Sequence, residues 1–98
     1  MIEKDLQTKC LSYCKTLQNK GYPIIAINQH GSAFSSRGVP DILICANGKF
    51  IAVELKVGDN KPTPLQAEYV KRIGQAGGTA LVIYGFDEFK RVIDNAIH

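Results

Sequence analysis

The Asn47-Gly48 pair constrains the fold of this chain more than any other feature of its sequence. Apolar runs flank the pair, from Ile42 to Ala46 and from Phe50 to Val57. An Asn-Gly pair between two strand-like runs is typical of a two-residue hairpin turn, because both residues tolerate positive φ angles. The sequence therefore predicts an antiparallel hairpin in which Ala46 pairs with Lys49.

The register of this hairpin places two acidic residues opposite each other. Counting outward from the turn predicts three further pairs: Ile44 with Ile51, Ile42 with Val53, and Asp41 with Glu54. Because side chains alternate along a strand, Glu54 and Lys56 should share one face of the sheet, while Val53, Leu55 and Val57 take the other. Charge is thus concentrated at one end of one face.

A positive group is needed between the two opposed carboxylates. Like charges directly across a sheet are destabilising, and burial makes them more so. Lys56 is one candidate, and a divalent cation is the other. Cross-strand Cβ atoms lie about 4.5 to 5.5 Å apart, close enough for two carboxylates to hold one ion. Magnesium is typically bound by one or two carboxylates together with water and substrate phosphate oxygens, which suits hydrolysis of a phosphodiester.

The charged residues also form a motif known from nucleases. Pro40-Asp41, a spacer formed by residues 42–53, and Glu54-Leu55-Lys56 together resemble the PD-(D/E)XK nuclease superfamily. With Glu3 ahead of the motif and Gln66 after it, the short chain is most similar to the virus-type replication-repair nuclease (VRR-NUC) domain. The resemblance implies an α/β fold of the restriction-endonuclease type, with an αβββαβ core around a mixed four-stranded sheet flanked by helices.

The resemblance also implies roles for individual residues. Asp41 and Glu54 would hold Mg²⁺ or Mn²⁺ with help from Glu3 and from the main-chain carbonyl of Leu55. Lys56 would orient the attacking water or stabilise the developing charge. Gln66 would reach back toward these groups. If the helix register differs, Asp5 takes the place of Glu3.

Helix and strand patterns fit that fold. Apolar residues at helical spacing predict a helix from about residue 2 to 20 that ends at Gly21, and residues 22–28 form an isoleucine-rich strand. Thr63, Pro64 and Gln66 mark the start of a second helix through a capping box, with Gly77-Gly78 at its end. Residues 79–84 predict a fourth strand covered on both faces. An extra C-terminal helix follows.

The predicted helices each have a face expected to pack inward. In the second helix this face comprises Leu65, Tyr69, Val70 and Ile73. In the last helix, Asp87 is the expected N-cap. The residues expected to be buried there are Phe89, Val92, Ile93 and Ala96.

Several of these residues have a purely structural alternative. Glu3 can be a solvated first-turn acid that interacts with the helix dipole, and Gln66 is fully explained by the capping box. The polar segment 29–39 can be a simple linker. It can also contact phosphates, because it must end beside Asp41. The residues we assign to nucleic-acid binding are Arg37, Ser35, Ser36 and Lys61; the lone His30 is not expected to act.

Composition limits the remaining possibilities. At 98 residues the chain is expected to be one domain over residues 1–98, and a net charge of +3 permits a polyanionic partner without requiring one. The cysteines, Cys10, Cys14 and Cys45, are odd in number and have no C-x-x-C spacing; Cys10 and Cys14, at i, i+4 on a predicted helix face, are interpreted as packing residues rather than a metal site or disulfide. No segment resembles a membrane span or signal peptide, so we expect a cytoplasmic protein of a bacterial or phage-infected cell.

The predicted function is a metal-dependent, structure-selective DNA endonuclease of replication, repair or recombination. The chain has no recognition helix or zinc motif, so shape recognition is favoured over base-specific cleavage. Resemblance to Holliday-junction resolvases implies a branched or four-way junction as substrate and a homodimer with paired sites. Two alternatives remain open: a catalytically weak DNA-binding module on a nuclease fold, and a restriction-type endonuclease.

Overall fold

The computed structural model describes residues 2–29 and 37–98. Within these residues the chain forms three helices and four strands. In chain order they are α1 (Glu3–Asn19), β1 (Ile24–Asn28), β2 (Ile42–Ala46), β3 (Lys49–Leu55), α2 (Pro64–Gln75), β4 (Thr79–Ile83) and α3 (Phe86–Ile97). The element order and the α/β class agree with the predicted restriction-endonuclease-like core and its additional C-terminal helix.

The strands form one mixed sheet in the order β1-β2-β3-β4. β1 pairs with β2 and β2 with β3 in antiparallel fashion, whereas β3 and β4 are parallel. The predicted hairpin register is confirmed, because Ala46 pairs with Lys49 and Ile42 with Val53. Asn47 and Gly48 adopt φ angles of 52° and 79°, as a two-residue turn of this kind requires.

The hydrophobic core lies on one face of the sheet, beneath α1 and α3. α1 contributes Leu6, Cys10, Cys14 and Leu17, and α3 contributes Phe89, Ile93, Ala96 and Ile97. From the sheet, Ile42, Ile44, Val53 and Leu55 are among the residues that meet them. The burial of Cys10 and Cys14 agrees with their assignment as packing residues, and burial raises the pKa of each thiol to about 12.

α2 lies on the opposite face, and it is anchored differently from the prediction. Leu65 was expected to be buried, but 47% of it is exposed, and α2 has no fully buried residue. Its partly buried residues, including Ile73, lie over β4 and β3. Because α2 covers only part of this sheet face, part of the apolar stripe of α2 stays exposed to solvent. The predicted burial of Leu65 was therefore wrong.

Two further expectations were wrong in detail. β4 was predicted to be covered on both faces, yet Ile83 is its one fully buried residue, because β4 is the edge strand of the sheet. Asp87 was predicted to cap α3, but Gly85 is the N-cap and Asp87 lies within the first turn. The helix starts earlier because Phe86 packs edge-to-face against Tyr13 of α1, with ring centroids 5.6 Å apart.

Candidate active site

Asp41 and Glu54 lie side by side at one end of the β2–β3 hairpin. Asp41 directly precedes β2, and Glu54 follows Val53, the residue that pairs with Ile42. The main-chain N–H of Leu55 donates a hydrogen bond of 2.9 Å to Asp41 Oδ2. Both acids are buried, and Glu54 is only 1% exposed. The opposition that the hairpin register predicts is thus present in the fold.

Glu3 approaches the same point from the first turn of α1. Carboxylate oxygens of Glu3, Asp41 and Glu54 all lie within 4.8 Å of one another, which makes these acids a group able to hold a metal ion among the described residues. Asp5, the alternative helix acid, is exposed and is not part of this group. The structure therefore brings Glu3, rather than Asp5, to the motif acids.

The buried position of Glu54 changes its protonation. The pKa of Glu54 is raised from its ordinary 4.5 to about 8, and burial is the largest cause. The nearby charges of Asp41 and Glu3 act in the same direction, whereas the charge of Lys56 acts against them. The charge of Lys56 therefore does not offset the effects of burial and of the neighbouring acids on Glu54.

Lys56 extends from the end of β3 on the same face of the sheet as Glu54. Its Nζ lies 3.8 Å from Glu54 Oε2, and its side chain is 12% exposed. Its main-chain N–H donates to the carbonyl of Ile83, which fixes this part of the chain against β4. The ammonium is therefore held beside the acids in a largely desolvated position, as its predicted role requires.

Gln66 contacts Glu54 from the first turn of α2. Its Nε2 donates to Glu54 Oε2 across 3.1 Å. Its Oε1 accepts from the main-chain N–H of Thr63 at 2.8 Å, and its own N–H donates to Thr63 Oγ1. The capping-box and site interpretations of Gln66, posed as alternatives, are both realised by the same side chain.

The donor set fits a divalent cation. Among residues 2–29 and 37–98, Glu54 Oε1 is the buried side-chain oxygen that lacks a hydrogen-bond partner. A buried carboxylate oxygen without a partner is costly, and a hard cation bound by oxygen ligands would satisfy it. Leu55 is fixed beside the group through its N–H, and the predicted part played by its carbonyl stays a prediction.

Comparison with known proteins agrees with this geometry. A family model described as archaeal Holliday junction resolvase (Hjc) matches residues 12–91. The chain belongs to the Hjc family. The matched range includes Asp41, Glu54, Lys56 and Gln66, whereas Glu3 lies before it. No curated protein matches this sequence.

Solved structures share the Hjc-family chain's fold. One, titled "VRR_NUC domain protein", has a TM-score of 0.76 and 24% identity, with 99% of this chain and 88% of that chain covered. Another, titled "VRR_NUC domain", has a TM-score of 0.69 and 22% identity, with 94% of each chain covered. The predicted resemblance to VRR-NUC domains is thus confirmed at the level of the fold. Hjc membership makes the chain a nuclease and implies DNA as substrate and a divalent metal ion.

Two of the four predicted nucleic-acid contacts of this Hjc-family chain, Arg37 and Lys61, lie in its described part. Arg37 is exposed and, with Gly38 and the first turn of α2, lines an open cavity of about 540 Å³. Lys61 is exposed in the loop between β3 and α2. Ser35 and Ser36, as well as His30, lie outside the described residues.

Sequence reasoning missed two contacts around the Hjc-type site. Gln7, one turn after Glu3, is buried and donates from Nε2 to Asn28 Oδ1 at 2.7 Å. Gly38, at a φ of 86°, packs so closely on Leu65 that an added Cβ would lie 2.6 Å from Leu65 Cγ. The i, i+4 spacing of Glu3 and Gln7 is the one sequence signal that pointed to the first contact.

None of the helices in the described part of the Hjc-family chain combines the length and apolarity that a membrane span needs.

Proposed function

We propose that this protein is a Mg²⁺-dependent, structure-selective DNA endonuclease that cuts branched DNA in the manner of a Holliday-junction resolvase, in replication, repair or recombination. The observation that carries the proposal is the convergence of Glu3, Asp41 and Glu54 with Lys56 at one buried position. Family membership supports the nuclease activity, and the site supports its metal dependence.

The residues that would hold the ion are Glu3, Asp41 and Glu54, together with the main-chain carbonyl of Leu55. Mg²⁺ or Mn²⁺ suits this all-oxygen set. When bound, the ion supplies Lewis acidity toward the scissile phosphate and lowers the pKa of water beside it. The acids offset its charge and fix its place at the end of the hairpin. The raised pKa of Glu54 supports this assignment, because a cation is what the group lacks.

Lys56 would act on the reacting atoms as a cation. Its ammonium can orient the attacking water by hydrogen bonding. It can also stabilise negative charge that develops on the phosphate oxygens. Gln66 donates a hydrogen bond to the same oxygen of Glu54 that lies near Lys56.

Contacts with the DNA backbone would come from the mouth of the site. Arg37 and Lys61 are exposed cations near the first turn of α2, and Ser35 and Ser36 belong to the same predicted set. Such groups bind phosphates without reading base sequence. Selectivity would then depend on the shape of the DNA. A branched junction offers phosphates at angles that a linear duplex does not.

A second copy of the chain would provide the second site that paired cleavage requires. Among the described residues, an uncharged apolar patch lies on the α2 face of the sheet, beyond the helix. It comprises one row across three strands, Ile25–Cys45–Phe50, and a second row formed by Ile27 and Leu43. Ile25 and Ile27 are each more than half exposed. Because the patch is uncharged, it is better suited to contact another protein surface than DNA. Two copies of the chain related by a two-fold axis would bury their patches against each other.

Cleavage of defined DNA structures tests this proposal. A four-way junction, a flap and a linear duplex of the same sequence would each be incubated with Mg²⁺, with Mn²⁺ and with EDTA. We expect cutting of the junction with either metal and none in EDTA. Metal-independent cutting, or equal cutting of the linear duplex, would overturn the metal dependence or the structure selectivity respectively. Junction binding without cutting under every condition would support the DNA-binding alternative.

A further inference from the structure

The orientation of the Gln66 side chain is fixed by the cap of α2. A main-chain N–H can only donate, so the Gln66 atom that lies 2.8 Å from Thr63 N must be the carbonyl oxygen. The amide NH₂ must then point the other way, toward Glu54 Oε2 at 3.1 Å. The capping box thus determines which end of Gln66 the buried acid meets.

The same contact divides the two oxygens of Glu54. Oε2 accepts from Gln66 and lies near the Lys56 ammonium, whereas Oε1 is buried without a hydrogen-bond partner among the described residues. A carboxylate with one oxygen held by donors cannot rotate freely. Its other oxygen is therefore presented to the position shared with Glu3 and Asp41.

We infer that Thr63 is a positioning residue, whose main-chain N–H acts through Gln66 to hold Glu54 with Oε1 available to a divalent cation. This inference rests on the proposed function, because it concerns the metal site named there. A helix cap ordinarily contributes to stability alone. In this inference the cap of α2 also contributes to metal affinity. Groups that orient metal ligands typically contribute 10- to 100-fold to affinity.

Three substitutions at position 63 separate the N–H from the side chain. Thr63→Ser keeps both the hydroxyl and the N–H, and Thr63→Ala keeps the N–H but loses the hydroxyl. Thr63→Pro loses both, and the φ of −67° at this position is one that proline adopts. The difference between the Ala and Pro variants therefore reports on the N–H.

The measurement is Mn²⁺ binding by isothermal titration calorimetry without DNA, with melting temperature recorded for each variant. We expect Thr63→Ser to match wild type, Thr63→Ala to bind within about threefold, and Thr63→Pro to bind roughly tenfold or more weakly. Gln66→Met, which keeps the length of the side chain but not the amide, should weaken binding as Thr63→Pro does. If Thr63→Pro weakened Mn²⁺ binding and Gln66→Met did not, the inference would be contradicted.

The two proposals fail in different ways. If the wild-type protein bound no Mn²⁺, with or without junction DNA, the proposed function would be contradicted. Wild-type uptake that Thr63→Pro and Gln66→Met leave unchanged would overturn the positioning role alone. A Thr63→Ala loss as large as the Thr63→Pro loss, with equal falls in melting temperature, would assign the effect to helix stability and also overturn it.

Discussion

The two faces of the sheet differ in what covers them and in what they carry. One face lies beneath α1 and α3 and is almost wholly apolar and buried. The other is covered by α2 on β3 and β4, bears Glu54 and Lys56 at one end, and leaves Ile25 and Ile27 exposed on β1. The first face contains most of the buried apolar core, while the second holds the residues proposed for catalysis and for the dimer interface.

This difference follows from the alternation of side chains along β3. Val53 and Leu55 point into the core, so Glu54 between them must point to the α2 face. Burying a carboxylate there is costly, as its raised pKa indicates. The packing of the sheet face beneath α1 and α3 stabilises the fold enough to offset the cost of burying Glu54. The fold can therefore keep a group of acids that is unfavourable when no cation is bound.

The largest effects on cleavage are expected from substitutions at the charged end of the α2 face. Asp41→Ala and Lys56→Ala should lower the single-turnover rate of junction cleavage by about a thousandfold or more, because the first removes a proposed metal ligand and the second the proposed cation beside the phosphate. Junction affinity, measured by fluorescence anisotropy, should change little in the Lys56 variant. Retained cleavage in either variant would show that the site is wrongly assigned.

The core face should respond in stability rather than in chemistry. Phe89→Ala removes a fully buried ring and should cost about 3 to 5 kcal/mol in the free energy of unfolding by urea. Phe50→Ala on the open face is the matched control, and it should cost much less because 45% of Phe50 is exposed. Equal losses would mean that both faces contribute alike to the core.

The buried acid should make stability fall as pH rises. Glu54 in the folded state keeps its proton to about pH 8, whereas an unfolded glutamate loses it near its ordinary pKa of 4.5. The folded state thus binds more protons between these values, so the free energy of unfolding in EDTA should decrease by on the order of 1 kcal/mol or more from about pH 5 to about pH 8.

Glu54→Gln is the control for this pH dependence. An amide cannot titrate, so the variant should show a flatter profile, and it should gain stability over wild type at the alkaline end. The charged groups around Glu54 are Asp41, Lys56 and Glu3, and all are retained in this variant. Parallel profiles for the two proteins would assign the pH dependence to another group.

The open end of the α2 face should respond in assembly alone. Ile27→Lys places a charge in the apolar patch and should convert a dimer to a monomer in sedimentation velocity, with less than about 0.5 kcal/mol of effect on the monomer's own stability. Thr16→Lys, on the exposed side of α1, carries the same charge and should leave the dimer intact. If the Ile27→Lys variant still formed dimers, the interface would lie outside this patch.

Local rules account for the parts of this fold that sequence reasoning obtained. The Asn47-Gly48 turn and the two-residue period fix the pairing of β2 with β3, and Thr63 with Gln66 fixes the start of α2. These depend on neighbours a few residues apart. The errors at Leu65 and β4 have the opposite origin, because the extent of helix cover depends on the whole sheet.

The sequence by itself determined that Asp41 and Glu54 would oppose each other and that Lys56 would share their face, since both follow from strand geometry. The tertiary structure alone decided that Glu3 rather than Asp5 joins them, that the Gln66 amide meets Glu54, and that one sheet face stays open. The physical reason is distance along the chain. Where α1 and α2 dock depends on packing between remote segments, which no local pattern of residues specifies.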